Sequence, residues 1–234
     1  MLRIEHITKT YDQTKAVDDL SIHIRPGEIY GFIGHNGAGK TTTLKSVAGI
    51  LPFDSGDIFI NNMSIKEKPM ECKEIMAYIP DNPDLYEYMT GIQYLSFIAD
   101  IFGISLEDRN KRAERFASEF GLQGALTQLI SSYSHGMKQK LAVIGALIHD
   151  PRLILMDEPF VGLDPKAAFS LKQIMREICD RGGAIFFSTH VLEVAEKLCD
   201  KVAIIKNGRL IRSGTMEEVK GDESLEEVFL ELEE

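Results

Sequence analysis

Gly34-His35-Asn36-Gly37-Ala38-Gly39-Lys40-Thr41 is the stretch on which the reading of this chain turns. It fits the spacing G-x-x-x-x-G-K-[ST] and lies between an apolar run over 28–33 and a helical pattern over 40–50. Each residue type has a chemical reason. Glycines let the backbone curl so that successive N–H groups face phosphate oxygens, and the lysine adds a point charge on the β/γ side. A threonine hydroxyl is an oxygen ligand suited to Mg²⁺. The start of the following helix adds partial positive charge. The stretch therefore predicts a nucleotide phosphate cradle at a strand-to-helix turn, without choosing between ATP and GTP.

Working outward, the strand before the cradle is one of several. Residues 28–33, 75–79, 153–156 and 184–187 are short apolar runs, as strands buried on both faces require. Residues 22–24 and 57–60 alternate in the manner of half-buried strands. Near the end, 201–206 and 209–212 flank Asn207-Gly208, a strong hairpin signal. Strands alternating with helical patterns predict an α/β fold with a mostly parallel sheet. From Thr90 to His149 the pattern turns helical. Thr90 with Gln93 makes a capping box, and Tyr94, Leu95, Ile98 and Phe102 follow at helical spacing. Ser105, with Glu107 and Asp108 after it, opens a second, charged helix. The last segment is acidic, but Leu225, Val228, Phe229 and Leu232 form one apolar stripe, which predicts a helix docked on the sheet.

A second chemical feature stands at the end of the run over 153–156, in Asp157-Glu158. In a phosphate-loop domain such a carboxylate commonly holds Mg²⁺ through water, and the next one is available to polarise an attacking water.

Composition narrows the functions. The chain has 234 residues, 44% hydrophobic and 26% charged, with a formal net charge of -10. That length buries a sizeable core as one domain with subdomains, and the acidic balance argues against a nucleic-acid partner, which needs cations for phosphates. Cys72, Cys179 and Cys199 are scattered and odd in number, so reduced thiols are expected rather than a disulfide framework or a zinc site. Met1 to Glu5 leads into strand-like sequence rather than a signal-peptide pattern, and no apolar run approaches the ~18 residues of a membrane span.

Five motifs taken together resemble the ATP-binding cassette (ABC) transporter ATPases, over essentially the whole length. Besides the phosphate loop, Tyr133-Ser134-His135-Gly136-Met137-Lys138-Gln139 is similar to the family's signature. Asp157-Glu158-Pro159 is similar to its second acidic motif, Gly162-Leu163-Asp164-Pro165 to the loop that follows, and Ser188-Thr189-His190 to its switch histidine. The resemblance implies a P-loop NTPase (RecA-like) core over 1–89 and 150–215. To that it adds an N-terminal antiparallel β subdomain, an inserted helical subdomain over 90–149, and a C-terminal acidic helix over 216–234. It also implies an ATPase that works as a pair, taken as two identical subunits. The pair would drive an integral membrane permease from the cytoplasmic face of the membrane.

By the same resemblance Gly34, His35, Asn36, Gly37, Ala38, Gly39, Lys40, Thr41 and Thr42 bind ATP. Thr41 and Asp157 serve Mg²⁺, and Glu158 and His190 are catalytic. Tyr11 sits where the family stacks an aromatic on adenine, with Val17 lining the same face; a core or edge tyrosine is the alternative. Ser134, His135, Gly136 and Met137 act on ATP bound to the opposite subunit, and Asp164 belongs to the dimer loop. Asp164 also caps a helix, with Pro165 in its first turn. Two departures stand out. Asp81 replaces the usual glutamine, so its contact to the metal is direct, through water or absent; and His135 and Met137 replace a glycine and a glutamine. The signature form and the closing Leu225-Glu226-Glu227-Val228-Phe229-Leu230 resemble the exporting branch. Residues 84–89 read either as a grip on the membrane subunit or as packing between subdomains. A DNA-repair or translation ATPase of the family would carry a long coiled coil or two cassettes. A GTPase would carry Asn-Lys-x-Asp. The sequence has neither.

Overall fold

The computed structural model describes residues 1–232. Strand β3 (Ile29–Ile33) is buried at all five positions, as are β7 (Leu153–Asp157) and β8 (Ala184–Thr189) along their lengths. Together with β6 (Met76–Ile79), β9 (Lys201–Lys206) and β10 (Arg209–Thr215) they form a six-stranded sheet in the order β10-β9-β3-β8-β7-β6. All neighbours are parallel except the β9–β10 hairpin at one edge. A second, antiparallel sheet has the order β2-β1-β4-β5, from β1 (Leu2–Tyr11), β2 (Thr14–Ile24), β4 (Ser55–Ile60) and the two-residue β5 (Met63–Ser64). The architecture is α/β, as the alternating patterns predict.

The two-residue period of the strands sorts the core into two layers. Ile29, Ile33, Ile79, Ile154, Met156, Ile185 and Phe187 point to one face of the parallel sheet. Tyr30, Phe32, Met76, Leu153, Leu155 and Phe186 point to the other, against the antiparallel sheet and helix α1 (Lys40–Val47). A helix α2 (Pro69–Glu74) precedes β6. The first layer is covered by α3 (Gly91–Ile101), α4 (Leu106–Glu119) and α5 (His135–Leu147), which occupy the helical stretch, and by α6 (Pro165–Asp180). The caps read from sequence are formed. Thr90 and Gln93 make a reciprocal capping box, and the Ser105, Ser134 and Asp164 side chains accept from Asp108, Met137 and Ala167 N–H.

Two extents differ from expectation. Helix α1 stops at Val47 rather than 50, because Gly49 takes a left-handed conformation (φ 64°) and closes a Schellman motif. Ile50 N–H donates to Lys45 O, and Gly49 N–H to Ser46 O, at 3.0 Å each. The C-terminal segment is two helices rather than one. Helix α7 (Leu192–Leu198) precedes β9, and then α8 (Met216–Lys220) and α9 (Leu225–Glu231) are separated by a turn at Gly221. Each has its own capping box, Thr215 with Glu218 and Ser224 with Glu227, so two start signals produce two helices. Leu225 and Val228 are buried, so α9 is docked as its stripe predicts. Residues 233–234 of that segment lie outside the described residues.

Candidate functional site

Strand register brings the site together. Asp157 pairs with Ser188, and Thr189 with Ile33, so the carboxyl ends of β3, β7 and β8 finish side by side. The carboxyl edge of parallel strands is where α/β folds hold ligands. Here that edge carries the loop 34–39, the Asp157-Glu158 pair and Ser188-Thr189-His190.

The loop curls tightly. Gly39 caps α1 with φ 107°, and a Cβ there would lie 2.2 Å from the Ala16 carbonyl oxygen, so only glycine fits. The β9–β10 turn closes on the same point, with Gly208 N–H donating to Ala38 O at 2.9 Å. Lys40 is buried, and its ammonium donates to the carbonyls of Gly34 (2.5 Å) and His35 (3.1 Å). Burial pulls its pKa down, and the nearby carboxylates of Glu158 and Asp157 oppose that pull.

The carboxylate pair is divided between two tasks. Asp157 is 1% exposed and accepts from Thr41 Oγ1 at 2.5 Å on one oxygen and from Ser188 Oγ at 2.5 Å on the other. Two hydroxyls therefore fix its plane. The oxygen set of Thr41 and Asp157 suits a hard divalent cation that keeps most of its waters, as Mg²⁺ does. Glu158, the next residue, sits in the left-handed region at φ 47°, which costs a non-glycine residue about 1–2 kcal/mol. That turn sends its side chain away from Asp157's partners. Glu158 Oε2 lies 2.9 Å from His190 Nδ1, and Oε1 lies 3.7 Å from the Lys40 ammonium. Glu158 Oε1 is buried, and among the described residues no hydrogen-bond donor reaches it, the Lys40 ammonium being an ion-pair partner only. A buried carboxylate oxygen left without a donor is costly.

Ser188, singled out in sequence only as part of a motif, is the brace of this arrangement. Its hydroxyl donates to Asp157 and accepts from Glu158 N–H at 3.0 Å. The available signal was a buried polar residue ending an apolar strand. Lys140, also passed over, reaches Asp164 at 2.5 Å and holds its carboxyl below the usual carboxylate range, with help from the Ala167 amide.

Three candidate positions stand apart from the centre. Tyr11 is exposed at the β1–β2 turn, with the Lys9 ammonium 5.3 Å from its ring, so the core alternative falls. Val17 is corrected. It is fully buried beneath the antiparallel sheet, because the β1–β2 register shifts at Asp19, where φ is 55°, and this turns Val17 to the same side as Leu20, Ile22 and Ile24, so it offers no face to a ligand. Asp81 accepts from its own neighbour, Asn82 N–H, at 2.8 Å in an exposed turn. Among the described residues no hydrogen bond or ion pair joins it to Thr41, Asp157 or Glu158.

The Ser134–Met137 segment is brought to the 160s loop and not to the phosphate loop. A Cβ on Gly136 would lie 2.7 Å from the Gly162 carbonyl oxygen, and one on Gly162 would lie 2.9 Å from the His135 ring. Ser134 and His135 are exposed. Next to the 84–89 segment is a mostly apolar cavity of about 410 Å³, walled by Ile50, Tyr78, Leu85, Tyr94, Phe102 and His149. Tyr86 and Tyr88 stand exposed near it, their rings 5.9 Å apart.

Comparison with known proteins gives a consistent picture. The family model described as ABC transporter matches residues 17–161. The ABC-type transporter ATP-binding protein EcsA of Bacillus subtilis (strain 168) is 34% identical, over 99% of this chain and 96% of its own length. A solved structure of an ATP binding subunit of an ABC transporter superposes with a TM-score of 0.96 at 34% identity, covering all of both chains. The structure of cbiO1 from Clostridium perfringens, part of the ABC transporter complex cbiONQ, gives a TM-score of 0.80 at 28% identity. It covers 99% of this chain and 95% of that one.

Proposed function

The chain belongs to the ABC transporter family as an ATP-binding and ATP-hydrolysing subunit, and from that premise we propose how its own residues divide the work. The loop amides from Gly34 to Thr42 and Lys40 hold the phosphates of ATP. Lys40 leaves the carbonyls of Gly34 and His35 for phosphate oxygens. Thr41 and Asp157 would hold Mg²⁺, which would supply positive charge against the phosphates. Glu158 takes a proton from water through Oε1 as the water oxygen attacks the γ-phosphorus. The bond from that phosphorus to the β–γ bridging oxygen breaks, giving ADP and phosphate. His190 holds the other oxygen of Glu158 and donates toward the γ-phosphate.

The carrying observation is the buried Oε1 of Glu158, which meets no hydrogen-bond donor among the described residues and lies 3.7 Å from the Lys40 ammonium. A water between that oxygen and a phosphate held by Lys40 would have a carboxylate at hand to take its proton. Removing a general base costs about 10²–10⁴ in rate. Glu158→Gln, which keeps the shape, is therefore expected to bind ATP normally and to hydrolyse it at least about a hundredfold more slowly. Hydrolysis at the unmutated rate would remove Glu158 from this role.

The remainder of the ATP site comes from a second copy. One chain has one phosphate loop and one Ser134–Gly136 segment, and the two do not meet within it. Exposed Ser134 and half-buried Gly136 of one subunit would close over ATP held by the other, in a head-to-tail pair with isologous contacts. The membrane-spanning partner docks at the cavity beside residues 84–89. Its apolar walls and the exposed Tyr86 and Tyr88 suit a short amphipathic helix, with aromatic anchors of the kind that dominate interfaces. No described helix is long and apolar enough to cross a membrane; on the family reading the partner supplies the pathway, and the pair works at its cytoplasmic face. The Tyr-Ser-x-Gly-Met signature and the closing sequence support export as the direction.

A further inference from the structure

The outer half of the phosphate loop, His35 to Gly37, is exposed, and yet one of its side chains is held from outside the nucleotide-binding strands. The His35 ring lies 5.0 Å from the ring of Phe229, tilted by 58°. Phe229 belongs to α9, whose position is set independently. Leu225 and Val228 are buried in the same apolar layer as Ile33 and Ile204, and Lys206 donates to the Leu232 carbonyl at 3.0 Å. Lys206 ends β9 at the turn whose Gly208 N–H is bonded to Ala38 O. The loop is thus gripped at Ala38 by the hairpin turn and at His35 by the C-terminal helix.

We propose that Phe229 is a positioning residue for ATP hydrolysis, acting through His35 to hold the loop amides in their phosphate-facing curl. The inference rests on the reading of residues 34–42 as the ATP cradle. Its physical content is preorganisation. A loop held in the binding conformation pays less ordering entropy when ATP arrives, and a loop released from its support binds through a smaller competent fraction. Among the described residues no ring contact, hydrogen bond or ion pair joins Phe229 to Glu158 or His190, so the bond-breaking step is left alone. The effect falls on KM and not on kcat.

Steady-state ATPase measurements on the full chain test this with Phe229→Ala, Phe229→Leu, Phe229→Tyr, His35→Ala and the double variant Phe229→Ala/His35→Ala. Phe229→Ala is expected to raise KM for ATP roughly threefold to tenfold, the factor a tilted aromatic contact carries, with kcat within about twofold. Phe229→Leu keeps apolar bulk for docking α9 but lacks the ring, so it should fold with a near-normal melting temperature and show the same KM shift. Phe229→Tyr should restore KM. The double variant should be no worse than either single one, because both remove the same contact. An unchanged KM in Phe229→Leu, or KM effects of Phe229 and His35 that multiply, overturns the proposal. Lys40→Ala separates this from the underlying reading. Unchanged nucleotide affinity there overturns the cradle itself, whereas lost affinity with an unmoved Phe229 series overturns the positioning role alone.

Discussion

Glu158 shows how a single backbone angle assigns chemistry. Asp157 and Glu158 are adjacent carboxylates, and with extended geometry at both they would alternate across the strand end. Glu158 instead occupies the left-handed region, and its carboxylate lies between His190 and Lys40 while Asp157 stays bonded to Thr41 and Ser188. Strain of this kind persists where surrounding structure enforces it, and it clusters at functional sites. Gly39 is the other residue whose conformation is demanded. With φ 107° and the Ala16 oxygen 2.2 Å from any added Cβ, Gly39→Ala is expected to lose about 3 kcal/mol of stability or to open the loop. Urea unfolding reads the first outcome and ATP affinity the second. A variant matching the unmutated protein in both would show that the loop tolerates a side chain there. Asp157 and Glu158 were legible as a pair in the sequence; Ser188 as their shared brace was not, because its strand pairing with Asp157 is a matter of sheet order.

Among the elements, α6 carries the clearest local code. Asp164 accepts from Ala167 N–H at 2.9 Å, with Pro165 in the first turn, and Lys140 from α5 adds an ion pair. Asp164→Ala is expected to cost about 1 kcal/mol, the usual worth of an N-cap. A Tm lowered by roughly 2–4 °C in calorimetry would be the sign of it in a chain of this size. The pH dependence has a definite sense. The Asp164 pKa is lowered in the folded state, first by Lys140 and then by the amide of Ala167. Its stabilisation is therefore complete above the ordinary carboxylate value and fades as the pH drops through the lowered one. The acid-induced loss should be shallower in Asp164→Ala; an identical acid limb would contradict this. The tail makes the complementary point at this scale. Its apolar stripe predicted docking, but the Gly221 break and two capping boxes divide it into α8 and α9, and only packing shows that Phe229 lands on His35.

For the whole molecule, the decisive fact is what the fold keeps apart. The phosphate loop sits at the carboxyl edge of the parallel sheet, while Ser134–Met137 begins α5 in the helical layer and packs on the 160s loop. The proposed sharing of the ATP site between two copies predicts association that depends on ATP. Glu158→Gln should elute as a dimer with ATP and as a monomer with ADP. Adding Gly136→Asp, which sets a bulky anion where the partner's γ-phosphate would sit, should abolish the ATP-bound dimer while nucleotide still binds. A Glu158→Gln protein that stays monomeric at saturating ATP would contradict the paired site. Steric disturbance of Gly162 by the new side chain is reported separately by Gly136→Ala, whose Cβ would crowd the same oxygen without adding charge.

The sequence by itself determined the α/β class, the phosphate loop, the acidic pair, the helix caps and the family resemblance. These are encoded in short-range spacing, where residue type and backbone geometry answer to each other directly. It misjudged Val17, which the family resemblance set on a ligand-facing wall but which the irregularity of β2 at Asp19 turns inward. It overlooked the Ser188 brace, the Lys140–Asp164 pair and the His35–Phe229 contact. Those depend on strand order, register and the docking of a distant helix, and such long-range contacts are fixed only when the two apolar layers close on the sheet.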